Sequence, residues 1–127
     1  MAYDWRNWIE LARGELEQAR EALAAGLYQM VAFFSHQIAE EALKGLWIVK
    51  GDGLPPRSHN LVELAEGLGA PEAIVSGCRG LNPLYTASRY PDVANGNPIE
   101  NYDARIAGEA LDLAESVFAW CLSQLPS

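Results

Sequence analysis

A single glycine, Gly26, separates two long stretches whose apolar residues recur every three or four positions. Trp5, Trp8, Ala12, Leu16, Ala19 and Leu23 form the first stripe, and Leu27, Val31, Phe34, Ile38, Ala42 and Trp47 form the second. That spacing places side chains on one face of an α-helix. The first helix is expected from about Asp4 to Ala25, with Asp4 as its cap and Gly26 as its stop. The second is expected from about Leu27 to Lys50. Phe33, Leu43, Leu46 and Val49 widen its stripe, so it should lie centrally, buried on more than one side.

Gly51-Asp52-Gly53-Leu54-Pro55-Pro56 ends this second helix. A short third helix is expected from about His59 to Leu68, capped by Ser58. Pro71 opens a fourth, with Ile74, Val75, Cys78, Leu81 and Tyr85 on its stripe and a kink or end at Pro83. Arg89 to Asn97 reads as the longest loop. The last helix is expected from about Pro98 to Leu125, through Ile106, Ala110, Val117, Phe118 and Cys121. No stretch alternates with period two, so strands are not expected. The fold class is all-α: an up-and-down bundle of four or five helices.

At 127 residues, half of them hydrophobic, the chain fits one domain, 1–127, with a core that needs no metal or disulfide. Cys78 and Cys121 are the only cysteines and match no zinc or disulfide framework, so both should be buried free thiols. No apolar run approaches the length of a membrane span. The N-terminus, acidic and aromatic from Tyr3 to Glu10, lacks the layout of a signal peptide, which points to the cytoplasm. The formal charge of −8 disfavours general nucleic-acid binding, since that affinity comes mostly from Lys and Arg on phosphates. It suits solubility, or docking to a basic surface of a protein partner.

Three segments in order are more specific. The second helix carries Ser35-His36-Gln37-Ile38-Ala39-Glu40-Glu41-Ala42-Leu43-Lys44. His59-Asn60-Leu61-Val62-Glu63-Leu64 follows, and then Tyr85-Thr86-Ala87-Ser88-Arg89-Tyr90-Pro91-Asp92. This set, from Trp8 to Phe118, resembles the HEPN domain, named for higher eukaryotes and prokaryotes nucleotide-binding. The resemblance implies a helical bundle that pairs into a homodimer. It also implies, for many prokaryotic members, a small nucleotidyltransferase partner in a toxin–antitoxin or defence operon. Many members are metal-independent ribonucleases whose signature is an Arg followed a few residues later by a His on a late helix. That signature is missing. Arg57 stands two positions before His59, Arg20 lies far upstream of His36, and Arg79, Arg89 and Arg105 have no His after them. The chain stands closer to the group ending in Arg-Tyr-Pro-Asp, for which nucleotide or partner binding is the usual suggestion.

Seven residues are therefore candidates for ligand binding: His36, Glu40, Lys44, His59, Arg89, Tyr90 and Asp92. His36, Glu40 and Lys44 stand one helical turn apart and could line a polar pocket, with Lys44 holding a phosphate. They could equally form, with Gln37, a satisfied network that fixes helix register. Arg89 offers a planar fork for phosphate or carboxylate and Tyr90 a stacking face for a base; Arg89 could instead pair with Asp92 or an acid of the second helix. His59 with Arg57 at a helix start suggests an anion site, or simply a cap. The four tryptophans suit core or subunit contacts better than a cofactor box.

The leading expectation is a HEPN module that binds a nucleotide, a nucleotidyltransferase partner, or both, with no cofactor and no resident metal. One alternative is a metal-independent ribonuclease toxin with an atypical site of His36, His59 and Arg89. Another is a magnesium-dependent nucleoside-triphosphate pyrophosphatase using Glu63, Glu66, Glu109 and Asp112, because carboxylates one turn apart can share a hard cation. A di-iron bundle is excluded, since neither histidine follows a Glu by three positions. No Gly-rich phosphate loop, nucleophile elbow or CxxC pair occurs.

Overall fold

The computed structural model describes residues 4–51, 53–91 and 96–126. All regular structure among the described residues is helical. Helix α1 (Trp5–Ala24) starts where the Asp4 carboxylate accepts the Arg6 amide. It stops at Gly26, which takes a left-handed φ of 77°. There the Leu27 amide reaches back to the Ala22 carbonyl and the Gly26 amide to that of Leu23, so the last carbonyls of α1 are satisfied as the chain reverses.

Helix α2 (Tyr28–Lys50) is the centre of the molecule. Its buried residues point in every direction around its axis, from Val31, Ile38 and Leu43 to His36, Glu40 and Lys44. The helix packs on α1, on the long final helix and on the short helices between them. That explains why apolar residues encircle it instead of forming one stripe.

Helix α3 (Leu61–Gly67) is shorter than expected, and its cap is Asn60, whose side-chain oxygen accepts the Glu63 amide. Ser58 instead accepts the Asn60 amide, one step before the helix. The Trp47 indole of α2 donates to the Leu64 carbonyl at 3.1 Å and pins α3 down. Helix α4 (Glu72–Leu81) begins after Pro71, as expected. Pro83 then breaks the chain, and Tyr85 lies in a separate short helix, α5 (Leu84–Ala87). The proline lacks the amide that would have continued α4.

The final helix also begins later than expected. Pro98–Asn101 forms a 3₁₀ turn, Tyr102 is extended, and helix α6 (Ala104–Ser123) starts at Asp103, which accepts the Ile106 amide. Asp103 is the better cap because its short carboxylate can reach that orphan amide. One apolar cluster joins α1, α2, α3, α4 and α6, with Ile38, Leu43, Leu46, Leu61, Leu81, Val117 and Phe118 among its buried members. Trp5, Trp47 and Trp120 pack half-buried against it. Cys78 and Cys121 are buried free thiols, and burial raises both above the ordinary thiol range, which leaves them unreactive. No described helix is long and apolar enough to cross a membrane.

Candidate functional site

Three elements that are distant in the chain meet on one side of α2. The middle of α2 supplies His36, Glu40 and Lys44; the segment before α3 supplies His59 and Asn60; α5 and its end supply Tyr85 and Arg89. Asn82 holds the last two elements together. Its side-chain oxygen accepts the Leu61 amide at 2.7 Å, and its side-chain nitrogen donates to Asn60 Oδ1 at 2.8 Å. Gln29 of α2 donates to the Ser88 carbonyl and so anchors the end of α5.

Glu40 is the hub. Its Oε2 accepts Lys44 Nζ at 3.1 Å and its Oε1 accepts His59 Nδ1 at 2.9 Å. Both Glu40 and Lys44 are buried. Each is tolerable there because it neutralises the other. A carboxylate can only accept, so His59 Nδ1 carries a hydrogen, and in the neutral ring the Nε2 lone pair is left open. The His59 ring is held in place by Tyr85, stacked at 4.3 Å between centroids and 15° between planes. Its side chain is 54% exposed, the only member of the hub that reaches solvent to that extent.

His36 plays a different part. It is fully buried, and its Nε2 donates to the His59 carbonyl at 3.1 Å. Its Nδ1 stands 3.8 Å from Glu40 Oε1 and has no hydrogen-bond partner. Burial lowers its basicity below the usual 6.5, against the opposing pull of Glu40, so it is a neutral strut beneath the His59 segment. The Arg89 guanidinium folds back onto α2 and α5. It lies 4.2 Å from the Phe33 ring centroid and 4.4 Å from that of Tyr85, and its Nη1 donates to the Tyr85 carbonyl. No acid of α2 forms an ion pair with it among the described residues.

His59, Asn60, Asn82, Pro83, Tyr85 and Thr86 line an open depression of about 400 Å³. His36, Glu40 and Lys44 do not line it; His36 and Glu40 reach it only through their bonds to His59, and Tyr90 is exposed but does not line it either. Asp92 falls outside the described residues. His59 is not in a helical first turn, because α3 begins only at Leu61. The four carboxylates of the pyrophosphatase alternative are all on α3 and α6, and Glu109 is paired with Arg105. Among the described residues no group of three or more His, Cys, Asp or Glu is placed to hold a metal.

The family model for the HEPN domain matches residues 5–124. The chain belongs to the HEPN family. Solved HEPN-like structures share its fold over nearly their full length. TT1696 from Thermus thermophilus superposes with a TM-score of 0.88 at 35% identity, covering 95% of this chain and 98% of that one. ST0689, an archaeal HEPN homologue, gives 0.82 at 36% identity, covering 94% and 96%. A HEPN domain protein of Thermotoga maritima, tm0613, gives 0.73 at 23% identity over 92% and 95%, a likeness of fold alone. No curated protein matches the chain.

Within this HEPN chain, Tyr85, Asn60, Asn82 and Thr86 were not singled out as site residues from the sequence, although all but Asn82 stand in the motif segments. The signal that could have found Asn60 and Asn82 is their place at element ends, Asn60 just before an apolar run and Asn82 just before a proline.

Proposed function

We propose that this HEPN chain is a nucleotide-binding module that works beside a small nucleotidyltransferase in a toxin–antitoxin or defence setting. The observation that carries the reading is the His59 ring, fixed by Glu40 and stacked on Tyr85 at the edge of the open depression. An aromatic platform ringed by a few polar groups is how proteins hold a base. The net charge of −8 favours a small ligand or a basic protein surface over a polynucleotide. Equilibrium dialysis with labelled nucleotides, alone and with the protein encoded by the neighbouring gene, tests the reading. Binding that is lost in His59→Ala supports it, and absence of binding to either removes it.

A homodimer is part of the same proposal. Leu27, Met30 and Ile99 are exposed and line one shallow hollow with Gly26, Tyr28 and Gln29. They form a better contact candidate than Trp5, which is half-buried against the core. Light scattering of Met30→Glu against the parent chain tests that placement.

A second reading, a metal-independent ribonuclease, draws on the open Nε2 of His59. An imidazole whose Nδ1–H is fixed by a carboxylate is arranged for proton transfer. RNA that stays intact through long incubation with chelator present removes it; cleavage abolished by His59→Ala supports it.

A further inference from the structure

The depression around His59 differs from a phosphate site in its charges. None of the six residues lining it is Lys, Arg, Asp or Glu. Two cations of the neighbouring elements are already engaged. Lys44 is buried against Glu40, and Arg89 lies between two aromatic rings with Nη1 on a carbonyl. Arg57 is exposed but does not line the depression. The Glu40 carboxylate behind His59 is matched by Lys44, which leaves no free cation there, and the whole chain carries −8. A field of that sign opposes the approach of a polyphosphate.

The uncommitted polar atoms suit something else. Asn60 Oδ1 is used twice, by the Glu63 amide and by Asn82, so its orientation is set and its two amide hydrogens remain. The neighbouring His59 Nε2 has a lone pair and no partner among the described residues. A donor beside an acceptor is the pattern that complements the edge of a nucleobase. The open side of the His59–Tyr85 stack offers a further ring position, and about 400 Å³ lies within the range of ligand clefts, roughly 300–1,000 Å³.

We infer that the depression recognises the uncharged heterocycle of its ligand, so that a nucleoside binds as tightly as its phosphorylated forms. This rests on the nucleotide-binding reading and narrows it. The neutral site holds the base by stacking and by its edge, and the phosphates stay in solvent.

Calorimetric titration of the full chain with adenosine, guanosine, cytidine and uridine, and with their mono- and triphosphates, tests the inference. At least one nucleoside is expected to bind, with its triphosphate within about threefold, since no cation adds to the contact. Asn60→Asp keeps the cap oxygen of α3 but removes the two amide hydrogens; it is expected to weaken binding by about tenfold or more with the melting temperature retained. Arg57→Gln is expected to leave triphosphate affinity unchanged. Affinity that climbs about tenfold or more with added phosphates, or binding indifferent to Asn60→Asp, overturns the inference while leaving nucleotide binding standing. No binding of any compound overturns both.

Discussion

His59 is tied to Glu40 across nineteen positions of chain, Nδ1 to Oε1 at 2.9 Å. The bond links the segment before α3 to the middle of α2, and it sets which ring nitrogen of His59 faces outward. Glu40 is therefore both a structural anchor and the group that orients the candidate ligand-binding imidazole.

The Glu40–Lys44 pair is buried, so breaking it on one side is expected to be expensive. Lys44→Met leaves the Glu40 carboxylate without its cation and is expected to cost about 3–5 kcal/mol in urea unfolding. Glu40→Gln combined with Lys44→Met is expected to restore part of that loss, because no uncompensated charge remains.

Tyr85 holds the His59 ring face to face. Removing that contact is expected to cost about 0.5–1.5 kcal/mol beyond lost burial. A double-mutant cycle of Tyr85→Leu and His59→Ala measures it, and a coupling near zero shows the two rings to be independent.

Glu41 meets Glu15 across the α1–α2 interface. Burial, and then its hydrogen bond and charge repulsion with Glu15, push the Glu41 carboxyl from 4.5 up to about 10. Between those values the folded chain keeps a proton that the unfolded chain has released, so this contribution is complete below about 4.5 and is lost as pH rises toward 10. His36 has the opposite sign. Burial lowers its value below 6.5, so its contribution is present above 6.5 and lost as pH falls beneath it. From about pH 7 to 8, above the His36 range and below the ordinary value of 9.0 at which the unfolded Cys78 and Cys121 thiols ionise, the Glu41 effect stands alone, and stability is expected to fall by up to about 1.4 kcal/mol per pH unit. Urea melts across that range check it, and Glu41→Gln is expected to flatten the slope.

Gly67 lies under the Trp47 indole. A Cβ there would come within 2.5 Å of Trp47 Cζ2, so Gly67→Ala must displace the ring that donates to the Leu64 carbonyl. The expected loss is about 1–3 kcal/mol by thermal or chemical unfolding, with a change in tryptophan emission as α3 loosens.

The long helices were legible because their stripes are long: α1 and α2 begin and end within a residue or so of where Asp4, Gly26 and Gly51 place them. The central position of α2 was also legible, from apolar residues on more than one side. The short elements were harder. Ser58 and Asn60 are both good caps, and only the clamp from Asn82 decides for Asn60. Pro98 could have opened the last helix, but the chain spends Pro98–Asn101 on a 3₁₀ turn before Asp103 caps α6. Of the site, the meeting of His36, Glu40, Lys44, His59 and Arg89 followed the motif order. Their division of labour did not, because pairing and burial are set by tertiary contacts. Lys44 is committed to Glu40, His36 lies beneath the surface, and Arg89 turns back onto Phe33 and Tyr85.

With only two histidines in the chain, long-range proton–nitrogen NMR correlation resolves each imidazole by itself. His59 is expected to be protonated on Nδ1 and His36 on Nε2 in the free protein. Titration with a nucleoside should then move the Nε2 signal of His59 while leaving those of His36 in place. A His59 signal that stays put at saturating ligand, or a His59 protonated on Nε2 with no tie to Glu40, would show that this imidazole does not face the ligand.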